Sequence, residues 1–314
     1  MLHRVRAFTR ARAFTLFVPT AAALTASLVL ASSAPAAEPA GDIVQEHNVV
    51  YGKGGSEDLI LDLARPAQTS GLVPGIVYVH GGGWRGGSRN SYHNEVQEAA
   101  RRGYVAVTVD YRLTQPDAEG KAKYPFPAQL EDVKCAVRWL RANADKYHVD
   151  PKRIGATGES AGGHLVLLLA VTGDNKQFEG TGGNPDVSSQ VQTVVNWFGP
   201  TDLARMYGYN KRVDRLLNTL VGGTPQEQAE EYKVASPVTY VSKDVCPILT
   251  IHGTVDKLVP VEQAVEFDAA MKKAGATSQL MILEGQGHGF MGPASRQARE
   301  ATFAFFDKYL KPAK

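Results

Sequence analysis

The stretch Arg153-Ile154-Gly155-Ala156-Thr157-Gly158-Glu159-Ser160-Ala161-Gly162-Gly163-His164-Leu165 decides the fold. Its first five residues read as a strand, and Leu165 to Val171 reads as a helix. Between them lies G-x-S-x-G, the turn that lifts a serine hydroxyl onto the edge of a sheet. Gly158 and Gly162 suit a bend where strand and helix come too close for side chains. The pattern is short enough to recur as a Gly/Ser turn without chemistry. The flanking strand and helix give it meaning.

Outward from this point, short apolar runs alternate with helical patterns. Leu59–Ala64, Ile76–Val79, Val105–Val109, Ile154–Thr157, Val191–Phe198, Ile248–His252 and Gln279–Leu283 are predicted strands, several being Val/Ile/Leu runs suited to burial on both faces. Helices are predicted near Ser91–Arg102, Ala128–Asp145, Ala161–Gly173, Val261–Ala274 and Ser295–Leu310. Such alternation means an α/β fold with a mostly parallel sheet between helices, and ligands in such folds bind beyond the carboxyl ends of the strands. His80, Ser160, Asp256 and His288 all follow strands. Residues 173–244 are the least regular part and leave two readings open, a small cap over the site or surface decoration.

A serine hydroxyl needs a base to take its proton as it attacks. In strand–turn–helix sites of this kind the partners follow in the order serine, acid, histidine. After Asp256 the only histidine is His288, in Gly285-Gln286-Gly287-His288-Gly289-Phe290. Asp256 is the preferred acid, four residues past a strand, with Glu284 and Asp202 as rivals. His80, His164 and His252 read as supporting residues, and His47, His93 and His148 as surface ones. Upstream, His80-Gly81-Gly82-Gly83-Trp84 can present bare backbone N–H groups, so Gly82, Gly83 and Ala161 are the expected oxyanion donors. Trp84 either walls a substrate pocket or packs under the loop. Gly81, Gly83 and Gly86 also spell G-x-G-x-x-G, with Asp110 downstream, but a dinucleotide reading leaves the serine turn, Asp256 and His288 unexplained. No G-x-x-x-x-G-K-[ST] loop and no C-x-x-C or H-E-x-x-H pattern appears, and no metal is expected.

His80–Trp84, Tyr104–Arg112, Gly158–His164, His252–Asp256 and Gly287–Phe290 together resemble the α/β-hydrolase superfamily. Within it they resemble the carboxylesterase branch with an H-G-G-G-W oxyanion loop, which includes bacterial acetylxylan and feruloyl esterase-like proteins. The resemblance implies an eight-stranded, mostly parallel sheet flanked by helices, and an early strand around Ile43–Tyr51 fits it. It implies Ser160 as nucleophile, Asp256 as acid, His288 as base, and no cofactor. The implied activity is that of a secreted serine carboxylic-ester hydrolase. It would work through an acyl-enzyme on short acyl esters, such as acetyl or feruloyl groups on plant polysaccharide. Formamidases and lactone hydrolases on the same scaffold are the alternatives. A non-catalytic binding protein is a further one, though such proteins usually have lost a triad member or the loop.

Arg4, Arg6, Arg10 and Arg12 precede an apolar stretch from Ala13 to Ala31 and then Ala34-Pro35-Ala36, the layout of a cleaved secretory signal over residues 1–36. A single domain is expected over 37–314, exported, with no stable membrane insertion after cleavage. Loss of the leader takes the formal charge from +2 to −2. The basic balance therefore belongs to the leader and gives no reason to expect a nucleic-acid partner. Apolar content of 43% leaves ample material for a core. Cys135 and Cys246 read as small buried hydrophobes, and a bridge between them stays open.

Overall fold

Val77, Val79, Val105, Val107 and Val109 are fully buried, and their β-branched side chains sit at the centre of the main sheet. The computed structural model describes residues 1, 41–116 and 121–311. The expected signal segment lies outside them, Met1 aside. The strands are β1 (Ile43–Gly54), β2 (Glu57–Pro66), β3 (Val73–Val79), β4 (Val105–Val109), β5 (Gln115–Pro116), β6 (Ala122–Lys123), β7 (Val149–Glu159), β8 (Thr193–Trp197), β9 (Ile248–Gly253) and β10 (Ser278–Leu283). Eight of them form one sheet in the order β1-β2-β4-β3-β7-β8-β9-β10, while β5 and β6 make a two-stranded ribbon. β1 and β2 run antiparallel, β2 joins β4 antiparallel, and every pairing from β4 to β10 is parallel. The α/β-hydrolase architecture expected from the sequence is the one observed.

The helices are α1 (His93–Arg101), α2 (Ala128–Ala142), α3 (Ala144–Tyr147), α4 (Ala161–Thr172), α5 (Leu203–Met206), α6 (Lys211–Val221), α7 (Ala229–Val234), α8 (Glu262–Ala274) and α9 (Gly292–Leu310). Strand alternation divides the core into two layers. Val77, Val79 and Val194 pack with residues of α2, α4 and α8. Ile76, Tyr78 and Val195 pack with Val96, Ala99 and Ala100 of α1 and with Phe303 and Phe306 of α9.

Two of the boundaries that differ from expectation have a clear backbone cause. The predicted helix Ala128–Asp145 breaks at Asn143, whose side-chain amide donates back to the Trp139 carbonyl at 2.9 Å. β8 stops at Trp197 because Phe198 takes a left-handed φ of 41°, which no strand continues. Helices α5 to α7 fill much of the stretch that sequence left irregular. Cys135 and Cys246 are unbridged.

Candidate active site

Because β3, β7, β8, β9 and β10 are parallel, the residues after Val79, Glu159, Trp197, Gly253 and Leu283 gather at one edge of the sheet. Ser160 sits there with φ 53° and ψ −118°. That is sparsely populated backbone for a residue with a Cβ, and costs about 1–3 kcal/mol. Hydrogen bonds hold it: its N–H donates to the Trp197 carbonyl at 2.9 Å, and its carbonyl accepts from His164 N–H at 2.9 Å. A Cβ on Gly162 would lie 2.0 Å from the Val79 carbonyl oxygen, so only glycine lets α4 start this close to β3.

His288 Nε2 lies 2.8 Å from Ser160 Oγ, and its Nδ1 lies 2.7 Å from Asp256 Oδ2. The other carboxylate oxygen of Asp256 accepts the backbone N–H groups of Leu258 and Val259 at 2.8 and 3.0 Å. His252, at the end of β9, places its Nε2 3.4 Å from Asp256 Oδ2 and 2.9 Å from the Val259 carbonyl. Burial alone would raise the Asp256 carboxyl. Hydrogen bonds from His252, His288 and Val259 outweigh it and hold the group well below the usual carboxylate range. An ionised Asp256 therefore faces Nδ1 and fixes the tautomer that leaves Nε2 free to accept a proton from Ser160. The Phe198 ring packs on the imidazole at 4.8 Å between centroids.

The two rival acids are engaged elsewhere. Glu284 accepts from Thr254 Oγ1 at 3.1 Å, and Asp202 caps α5 through the Arg205 N–H at 3.0 Å. Asp110 accepts the Arg89 N–H at 2.7 Å and pairs with its guanidinium, so this carboxylate is engaged within the fold.

The glycine loop borders the same space as Ser160. A cavity of about 340 Å³ is lined by Gly82, Gly83, Ser160, Phe198, Leu216 and His288, among others. Gly82 has a φ of 115°, and a Cβ there would meet the Gly86 carbonyl oxygen at 2.2 Å. Ala161 opens α4, and the first N–H groups of a helix have no partner within it. Trp84 has two neighbours of note. It lines the cavity, and its indole N–H donates to His164 Nδ1 at 3.2 Å from a buried position. Beneath the loop His80 stacks on Tyr111, whose hydroxyl donates to the His80 carbonyl at 3.0 Å.

Sequence reasoning missed part of the wall. Met206 of α5 and Arg212, Val213 and Leu216 of α6 line the cavity, so the 173–244 stretch reaches the site. Tyr209 donates its hydroxyl to the Asp256 carbonyl at 3.0 Å, and Asn210 donates to that of Lys257 at 3.1 Å. The four apolar or basic residues of α5 and α6 carry no motif, and only the fold shows which way they face.

The sequence profile of the BD-FAE family matches residues 61–271. The chain belongs to the BD-FAE family. The matched span includes the glycine loop, Ser160 and Asp256. The esterase LipC of Mycobacterium tuberculosis is 34% identical over 254 residues, covering 79% of this chain and 60% of that protein. The chain spans about half to three fifths of the length of the first curated relatives it matches, at 60%, 51% and 61%. Among solved structures, a truncated carbohydrate esterase from gut microbiota superposes with a TM-score of 0.73 at 29% identity, over 88% of this chain and 99% of that one. Thermogutta terrifontis esterase 2 with propionate bound gives 0.69 at 30% identity, over 89% and 99%. The same enzyme phosphonylated by sarin gives 0.73 at 29% identity, again over 89% and 99%.

Proposed function

We infer that the chain is a serine carboxylic-ester hydrolase acting through an acyl-enzyme on short acyl esters. The observation that carries this is the unbroken relay from Asp256 through His288 to Ser160, at 2.7 and 2.8 Å, beside the glycine loop. Ser160 Oγ attacks the ester carbonyl while His288 Nε2 takes its proton. Asp256 stabilises the imidazolium that results. The negative oxygen of the tetrahedral intermediate is held by the N–H groups of Gly82, Gly83 and Ala161, each such donor typically worth about 3–4 kcal/mol. His288 then gives its proton to the leaving alkoxide, and water repeats the sequence on the acyl-enzyme to release the acid and restore Ser160.

The cavity of about 340 Å³ suits a short acyl group, and the relative with propionate bound supports the same size class. The gut carbohydrate esterase, together with the leader-like segment 1–36, favours an exported enzyme acting on acetyl or feruloyl groups of plant polysaccharide.

The test is a panel of p-nitrophenyl acyl esters, acetylated xylan, feruloyl esters, lactones and N-formyl amides. Acetate to butyrate esters turn over fastest, a fluorophosphonate labels Ser160, and Ser160→Ala lowers kcat by on the order of 10⁴–10⁶. A folded wild type that neither labels nor cleaves any ester overturns the reading. Fastest turnover of an N-formyl amide or a lactone replaces it with the corresponding hydrolase.

A further inference from the structure

His47, Asp62 and His93, on β1, β2 and the first residue of α1, meet at the antiparallel edge of the main sheet. None of them takes part in the serine relay. Asp62 is almost wholly buried, and its two carboxylate oxygens have separate tasks. Oδ1 accepts the Asn48 N–H at 2.7 Å and lies 3.2 Å from Arg89 Nε. Oδ2 faces the two imidazoles, with His93 Nε2 at 2.6 Å and His47 Nδ1 at 3.4 Å.

A β-bulge brings this about. Glu46 pairs with Leu63 and Val49 with Leu61, so two residues of β1, His47 and Asn48, stand opposite the single residue Asp62 of β2. Asn48 takes a left-handed φ of 57° to accommodate the extra residue. Bulges re-aim side chains, and this one turns an imidazole and a backbone N–H onto the same carboxylate. The Asn48 N–H, both imidazoles and the Arg89 guanidinium thus all converge on this one carboxylate. Arg89 also pairs with Asp110, so its charge is shared between two carboxylates.

We propose that His47, Asp62 and His93 bind one divalent transition-metal ion, with Zn²⁺ the best match. Two imidazoles and one carboxylate are a donor set suited to zinc. Zinc–nitrogen bonds of about 2.0–2.1 Å in a tetrahedron put neighbouring donors about 3.3 Å apart. His47 and Asp62 already stand at 3.4 Å, and the donor atoms of all three residues lie within 4.8 Å of one another. His93 Nε2 and Asp62 Oδ2 stand at 2.6 Å, the length of a hydrogen bond, and part by about 0.7 Å to take the ion between them. The neutral His93 ring then carries its one proton on Nδ1. His47 and His93 side chains are 51% and 36% exposed, so water reaches the ion and completes the shell. Asn48 and Arg89 hold the non-ligating oxygen, as outer partners do in built metal sites. The ion would clamp the outermost strand to β2 and α1. Its effect falls on stability, and ester turnover does not require it.

The experiment titrates the EDTA-stripped protein with Co²⁺, followed by visible absorption, then displaces it with Zn²⁺ and repeats the series with His47→Gln and His93→Ala. Wild type takes up one equivalent with visible bands, Zn²⁺ competes, and Zn²⁺ raises Tm. Each variant binds more than about tenfold more weakly, while activity in EDTA equals that of wild type. His47→Gln alters a half-exposed side chain and keeps the test valid if His93→Ala does not fold. Folded wild type without saturable uptake overturns the proposal, as does uptake that both variants leave unchanged.

Discussion

The indole N–H of Trp84 donates to His164 Nδ1, so the glycine loop is tied directly to the helix that follows Ser160. His164 also lies 2.7 Å from the Ala235 carbonyl through Nε2, which makes Nε2 the protonated nitrogen and Nδ1 the acceptor. Burial pushes the imidazole down to about 4, against a smaller upward pull from Ala235.

That coupling sets an acid limb on stability. The folded pKa of His164 lies below the unfolded value of 6.5, so between those values the unfolded chain binds more protons. Stability from this group is intact above about pH 6.5 and is lost progressively as pH falls to about 4, by about 3 kcal/mol in all. In the folded enzyme, protonation at Nδ1 removes Trp84's acceptor only as the pH approaches about 4, so any loss of kcat through this contact is confined to that acid end. His164→Leu removes this group's share of the slope, leaving that of other buried groups such as His80, while lowering stability at neutral pH by about 1–3 kcal/mol, because Trp84 Nε1 and the Ala235 carbonyl lose their partner. Urea denaturation at a series of pH values measures both effects.

Asp256→Asn tests the tautomer argument. The amide can no longer select the imidazole with its proton on Nδ1, so kcat for a p-nitrophenyl ester falls by on the order of 10⁴ while KM changes little. His252 does not substitute, since it carries no carboxylate. Steady-state kinetics of variant and wild type give the comparison.

Two glycines separate folding from chemistry. Gly162→Ala places a methyl 2.0 Å from the Val79 carbonyl oxygen, and costs about 3 kcal/mol in thermal or denaturant unfolding. Gly82→Ala displaces the loop at a φ of 115°, and lowers kcat by about 10²–10³ with the fold retained.

If the acyl chain enters the cavity beside Ser160, Leu216 sets its depth. Its side chain is half-buried on α6 and lines the cavity with Gly83 and Ser160. Leu216→Ala raises the kcat/KM ratio of hexanoyl over acetyl p-nitrophenyl ester by about tenfold. A ratio that does not move places the acyl chain elsewhere in the cavity.

The serine turn, Asp256 and His288 were legible in sequence because their chemistry demands particular residue types in a fixed order after strands. The parallel sheet was legible because its strands are continuous Val/Ile/Leu runs. Met206, Val213 and Leu216 were not, since ordinary apolar residues in short helices signal only that something is buried. His252 was readable as a supporting histidine, but its approach to Asp256 depends on how the loop after β9 folds back. The His47–Asn48 bulge was invisible for a different reason. An extra residue in a strand shows itself only through the register of its neighbour.

Tyr209 and Asn210 fasten the α5–α6 segment to the backbone at Asp256 and Lys257. The segment that walls the cavity is thus geared to the residue that faces the imidazole. Remodelling that rim to admit bulkier esters will shift the relay as well, and variants selected for breadth alone will lose speed unless both anchors are kept.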